Sequence, residues 1–143
     1  MAHEAAIRTE LEGLRARLPE VTGAVAATPD GLVLADDAPG LPAEGFAAMT
    51  AAALGVGLRL TEAAGQQSFR ELLIRSETGC VALYPAGREA MLAVLAGPRT
   101  NVGRLHLESR RSCARIAALI DGEGGGADVG GAGGGGAGGG GTP

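Results

Sequence analysis

The N-terminal segment carries apolar residues at helical intervals. They recur every three or four positions and are Ile7, Leu11, Leu14 and Leu18. This spacing puts them on one face of a helix that we predict over residues 4–18. Pro19 ends the predicted helix, because proline lacks a backbone amide and disfavours helical geometry in the residue before it.

Short apolar stretches bounded by turn residues predict five strands. They cover residues 21–28, 32–36, 68–75, 80–84 and 90–96. The first two are joined by Pro29-Asp30-Gly31, where proline presets φ and glycine takes the positive φ of a turn. The last stretch is nearly all apolar, which is typical of a central strand that is covered on both faces.

A long helix ending at Gly65 is predicted between the two groups of strands. Its expected core side recurs at period 3.6 and comprises Phe46, Met49, Thr50, Ala53, Gly57, Leu60 and Ala64. The opposite side comprises Ala48, Ala51, Ala52, Gly55, Arg59 and Glu62. Alanine and glycine there have two interpretations. They reflect an alanine-rich, lysine-free genome, or they form a second buried face that lets the backbone of a partner helix come close.

The last predicted helix runs to about Ile120 and is capped by Thr100 or Asn101. Its expected core side is Val102, Leu105, Ser109, Ser112, Ile116 and Ile120, beside a charged stripe of Arg104, Glu108, Arg111 and Arg115. The element order is therefore α-β-β-α-β-β-β-α. Hairpin-linked strands separated by a helix predict an α+β domain with an antiparallel sheet covered by helices, over residues 1–121.

Glycine separates this domain from the rest of the chain. Of 26 glycines, fourteen fall in residues 122–143. Such a segment cannot bury enough apolar area to offset its ordering entropy, so we expect a disordered, Gly-rich tail.

Sequence motifs of catalysis are absent. All 12 basic residues are arginine, which excludes a phosphate-loop lysine and a Schiff-base lysine, and neither GxSxG nor HExxH occurs. Cys80 and Cys113 are 33 residues apart, and we interpret them as buried thiols. We interpret His106 as a histidine that is either hydrogen-bonded or exposed to solvent, and Tyr84 as a packing residue. Asp36-Asp37 are interpreted as solvated acids of a turn. We therefore expect that the protein is not an enzyme and that it has no catalytic residue, metal ligand or cofactor.

Charge and hydropathy indicate a cytoplasmic interaction module. Glu4, Arg8, Glu10 and Glu12 interrupt the apolar run that a secretory signal needs, and the most apolar stretches are shorter than the about 20 residues that cross a bilayer. Residues 1–66 carry a net charge of −5 and residues 67–120 a net charge of +4. The positive half is either a surface that docks onto an acidic partner or an ordinary solvated surface. The formal net charge of −4 argues against nucleic acid as a partner.

Two segments together resemble a known family. They are LPEVTGAVAATPDGLVLADD, with its Pro-Asp-Gly-Leu turn, and YPAGREAMLAVLAGPRTNVGRLHLESRRSCARIAALI, in which an apolar strand meets a Gly-Pro break before a helix. The sequence is similar to roadblock/dynein-light-chain domains over about residues 10–120, and most of all to bacterial members of the MglB type from actinobacteria. The resemblance implies a profilin-like fold, with a five-stranded antiparallel sheet and helices on both faces.

The resemblance also implies partners. Members of this family pair through the long second helix and the strand after it, and they stimulate or scaffold Ras-like small GTPases, in actinobacteria beside a sensor kinase. We therefore expect a homodimer, a Ras-like GTPase partner and a sensor-kinase complex, without direct membrane insertion. The dimer interface is predicted at Ala48, Ala51, Ala52, Gly55, Arg59, Leu72, Leu73 and Ile74. A small-ligand sensor domain without a GTPase partner is the alternative, since helix-flanked antiparallel sheets also bind ligands.

Overall fold

The first helix forms as its apolar spacing predicts. In the computed structural model, which describes the backbone of residues 2–140 and the side chains of residues 3–122, helix α1 spans Ala2–Arg17. Ile7, Leu11 and Leu14 are fully buried on its inner face. The helix ends two residues before Pro19, as expected.

Five strands form one antiparallel sheet. They are β1 (Val21–Ala27), β2 (Val33–Asp37), β3 (Leu72–Arg75), β4 (Cys80–Ala86) and β5 (Ala90–Ala96), arranged in the order β2-β1-β5-β4-β3. The interpretation of β5 as the central strand is confirmed, and six of its seven residues are buried. The prediction that the third strand starts at Ser68 is wrong. Ser68 has φ 64°, outside the strand region, so regular pairing begins only at Leu72.

Helices cover both faces of the sheet. Helix α1 and helix α3 (Val102–Gly140) pack on one face, and helix α2 (Ala43–Ala63) packs on the other. The α1/α3 side contains the larger core, which includes Leu92, Leu105 and Ile116. The α2 side contains a smaller core around Val25, Leu83 and Met91. The predicted α+β class and element order are confirmed.

A helix cap and a tight turn are the local features that position α3 and α2 relative to the sheet. Asn101 caps α3, because its Oδ1 accepts a hydrogen bond from the backbone amide of Arg104 at 2.9 Å. Gly31 closes the β1–β2 hairpin with φ 97°. A Cβ at this position would lie 3.2 Å from the Cα of Ala48, so the turn fits closely against α2.

The C-terminal segment extends α3 beyond the predicted end. The helix runs to Gly140, whereas the sequence predicts an end near Ile120. Leu119 and Ile120 still pack against the larger core. The side chains of residues 123–143 lie outside the described part of the chain, so the interpretation of residues 122–143 as a disordered tail stays a prediction.

A carboxylate network joins α1 to α3. Glu10 Oε2 accepts hydrogen bonds from Ser112 Oγ at 2.7 Å and from Arg17 and Arg115 at 3.1 Å. Arg17 also donates to Glu108 at 3.1 Å. Burial alone would raise the pKa of Glu10, but the hydrogen bonds from Ser112, Arg17 and Arg115 outweigh it, so the pKa of this carboxyl is lowered below its usual value. Part of the predicted charged stripe thus forms a link between two helices.

We predict that Glu10→Gln lowers the free energy of unfolding at pH 7 by about 2 kcal/mol, the scale of hydrogen bonds to a charged group. Because the pKa of Glu10 is lowered on folding, its stabilising effect is present above the unfolded pKa and is lost as pH falls through the folded pKa. Urea unfolding of wild type and variant should therefore show a difference in the free energy of unfolding that disappears at acidic pH.

Glu12→Gln is the matched control for this network. In the described residues Glu12 pairs with Arg8 alone, on an exposed part of the same helix, so its loss should cost at most about 0.5 kcal/mol. Equal costs at Glu10 and Glu12, or a difference at Glu10 that does not change with pH, would contradict the assignment.

Candidate functional site: an apolar face beside an open sheet edge

Helix α2 exposes large apolar side chains to solvent. Met49, Val56 and Leu60 are 66%, 52% and 65% exposed. With Ala52 and Arg59, which are also exposed, they form what we call the outer face of α2. Contiguous apolar surface of this kind marks interaction sites more often than single exposed residues do.

The sequence prediction of the core side of α2 is wrong in part. Phe46, Thr50, Ala53 and Gly57 face the sheet as expected, but Met49, Leu60 and Ala64 are exposed. The reason is that α2 carries apolar residues on almost every side, so the 3.6-residue period did not indicate which side is buried. The inward side includes Gly57, which Phe69 packs against so closely that a Cβ there would lie only 2.9 Å from the ring.

The predicted interface residues of α2 lie on two surfaces. Ala48, Ala52 and Arg59 are exposed on the side away from the sheet. Ala51 is half-buried against the smaller core, and Gly55 is half-buried beside it. Ala51 and Gly55 line a concavity that Phe69 also lines. The described residues therefore bring only part of the predicted set onto the outer face, and its role in dimerisation stays a prediction.

The two edges of the sheet differ in how they are covered. At β2, Arg8 donates to the backbone carbonyl of Asp36 at 2.8 Å, and Arg15 pairs with Asp37 at 2.9 Å. A further strand approaching β2 would meet these charged side chains of α1, a common way to protect an edge. The interpretation of Asp37 as a solvated turn acid is therefore wrong, since its carboxylate is largely buried and pairs with Arg15 of α1. For Asp36, α1 contacts the backbone carbonyl and not the carboxylate.

The opposite edge, β3, has no arginine bonded to its backbone among residues 3–122. Of the three predicted interface residues in this strand, Leu72 and Leu73 are half-buried on opposite faces and Ile74 is 48% exposed. In the sheet register, Ile74 pairs with Val81, and Val81 pairs with Leu95. These three side chains form a partly exposed apolar row on the α2 side of the sheet.

Residues with candidate chemistry are buried elsewhere. Tyr84 is 1% exposed, and its hydroxyl lies 2.7 Å from His106 Nδ1. This confirms Tyr84 as a packing residue and His106 as hydrogen-bonded. Burial raises the pKa of Tyr84 and raises that of Cys113 to about 12, so both are neutral at physiological pH.

The two cysteines are free and buried, as predicted. Within the described part of the chain, no three His, Cys, Asp or Glu side chains come together as metal ligands. In the same residues, no helix combines the length and apolar character that crossing a membrane requires. The outer face of α2 and the β3 edge are therefore our candidate interaction surface.

The family model of the Roadblock/LC7 domain matches residues 8–96 of the chain. The chain belongs to the Roadblock/LC7 domain family. No curated protein matches the sequence.

Solved structures agree with the fold of this roadblock domain. A Roadblock/LC7 domain from Streptomyces avermitilis is 25% identical, with a TM-score of 0.69 over 79% of this chain and 96% of that chain. An MglB described as having a tetrameric arrangement is 19% identical, with a TM-score of 0.76 over 83% and 90% of the two chains. Profilin IA from Acanthamoeba castellanii is 13% identical, with a TM-score of 0.58 over 78% and 96%. The expected profilin-like roadblock fold is confirmed.

Two glycines of α2 should respond differently to the same substitution. A Cβ at Gly55 meets no atom within 4 Å, so we predict that Gly55→Ala raises the free energy of unfolding by about 0.5–1 kcal/mol through helix propensity. A Cβ at Gly57 would lie 2.9 Å from the ring of Phe69, which must move to admit it, so Gly57→Ala should stabilise the protein less than Gly55→Ala does. Urea unfolding at low protein concentration measures both. An equal or larger gain at Gly57 would contradict the placement of α2.

Proposed function

We propose that this roadblock domain is a non-enzymatic, homodimeric regulator or scaffold of a bacterial Ras-like small GTPase, working in the cytoplasm in a sensor-kinase-linked signalling system. The observation that carries the proposal is that the domain has both an exposed apolar outer face on α2 and an open sheet edge at β3. Family membership supports the GTPase as partner, and the absence of lysine fits a protein without a phosphate-binding loop of its own.

Energetics favour a dimer that uses both α2 and β3. Burying the exposed parts of Met49, Val56 and Leu60 in two copies contributes about 7 kcal/mol, at about 2 kcal/mol for each fully buried side chain. Association costs about 4–15 kcal/mol in lost translational and rotational freedom. The outer face alone therefore supports only a weak dimer. Strand pairing at β3 and burial of Ile74 supply further stabilisation in the proposed arrangement.

A GTPase regulator of this kind acts through contact. Since the chain has no lysine for a phosphate-binding loop, its effect on hydrolysis would come from shifting the switch segments of the GTPase towards or away from their active arrangement. A scaffold would instead bind both nucleotide states equally. Activator and scaffold thus differ in one measurable property, the selectivity for the nucleotide state.

We predict that Leu60→Glu converts the dimer to monomer, because the new carboxylate would be buried against the second copy. Sedimentation velocity at micromolar concentration measures the change. Leu32→Glu is the matched control, because Leu32 has the same exposed fraction of 65% and lies in the β1–β2 turn. A wild-type monomer, or equal dissociation by both variants, would contradict the proposed interface.

The GTPase partner is tested by direct binding. Ras-like GTPases encoded in the same genome, loaded with GDP or with a non-hydrolysable GTP analogue, should include one that binds wild type. A regulator should show at least about a tenfold preference for one state, which is 1.4 kcal/mol. Equal affinity for both states would assign a scaffold, and no binding by any of these GTPases would contradict the proposed function.

A further inference from the structure

A groove crosses the end of the sheet at the β4–β5 turn. It consists of two adjoining concavities that share Phe69, Pro85 and Gly87. One continues along α3 past Cys113 and Ala114. The other continues along α2 past Leu54 and Leu58. Its floor is therefore mostly apolar, and it lies beside the outer face of α2.

Three arginines line this groove. Arg70 and Arg110 line the part along α3, and Arg88 lines the part along α2. Arg110 is paired with Glu71, its one acidic partner in the described residues. Arg70 and Arg88 are exposed and form no ion pair with any residue of the described part, although Glu89 follows Arg88 in the turn. The groove thus carries positive charge that the fold does not neutralise.

We propose that this groove docks an acidic segment of a partner protein, with an apolar side chain on the floor and carboxylates on Arg70 and Arg88. Guanidinium groups bind carboxylates in a planar, two-bond geometry, which gives orientation as well as attraction. The partner is the GTPase, and this identity rests on the proposed function. The groove would then place the GTPase beside the outer face of α2.

The charge distribution favours an acidic protein segment over a polyanion. The chain has a formal net charge of −4, and residues 1–66 alone carry −5, so a nucleic acid or an anionic membrane would be repelled by most of the surface. A short segment touches only the groove and avoids this repulsion.

The test uses a fluorescein-labelled peptide with four aspartates around two leucines, and a second peptide with asparagine at the four aspartate positions. Fluorescence anisotropy with the full chain should show binding of the acidic peptide and at least tenfold weaker binding of the asparagine peptide. The double variant R70E/R88E should bind the acidic peptide at least tenfold more weakly than wild type does.

The matched control is R75E/R99E. Arg75 and Arg99 are exposed and form no ion pair in the described residues. They lie at the opposite end of the sheet, Arg75 at the last position of β3 and Arg99 three residues after β5. This variant has the same charge change and should lose less than threefold in affinity. Circular dichroism checks that both variants fold.

Four results would overturn the inference: no binding of the acidic peptide to wild type, equal binding of the two peptides, equal losses in the two double variants, or displacement of the peptide by a single-stranded oligonucleotide. A change in sedimentation coefficient for R70E/R88E alone would assign the groove to a second copy and would also overturn it. Because the peptide replaces the GTPase, these results do not depend on whether the GTPase binds.

Discussion

The packing of α2 against the sheet decides which of its apolar residues are left for a partner. Leu54 and Gly57 lie on the inward side, whereas Met49 and Leu60 stay exposed. The fit at Gly57 is tight, because the ring of Phe69 would lie 2.9 Å from an ideal Cβ there. The same ring lines the groove at the β4–β5 turn and precedes the late start of β3. Phe69 thus links the packed side of α2 to the groove and to the start of the edge strand.

The second constraint is that charged side chains cover the β2 edge of the sheet and leave the β3 edge open. Arginines of α1 contact β2, while β3 has only four residues and pairs only with β4 in the described chain. Unpaired strand edges attract further strands, and proteins usually protect them. Protection at one edge and openness at the other give the domain one direction for extending its sheet. In the proposed dimer a second copy uses this edge together with the outer face of α2.

Much of this fold could be predicted from sequence because local signals agree with the tertiary structure. The spacing of Ile7, Leu11 and Leu14, the Pro-Asp-Gly turn and the apolar run of β5 each have one structural interpretation, and each is confirmed. In α2 the signal fails. Leucine, methionine, alanine and glycine are distributed around the whole helix, so only the partner surface decides which residues are buried. The pattern alone does not contain the position of Phe69, twelve residues after Gly57.

The arginine contacts at β2 and the groove were also beyond sequence analysis. Arg8 and Asp36 are 28 residues apart, and Arg70, Arg88 and Arg110 come from three separate elements. Their proximity depends on strand order and on the path of α3, which charge counting along the chain does not give. The uneven charge of residues 67–120 indicated a basic surface, but not its place or its apolar floor.

Backbone hydrogen exchange in β3 tests the central claim most directly, because this strand lies at the edge that the second copy is proposed to cover. Exchange of the amides of Leu72–Arg75 should slow as protein concentration rises, while exchange in β2 stays unchanged. Exchange in β3 that stays fast at every protein concentration would show that no second strand pairs there, and it would contradict the account.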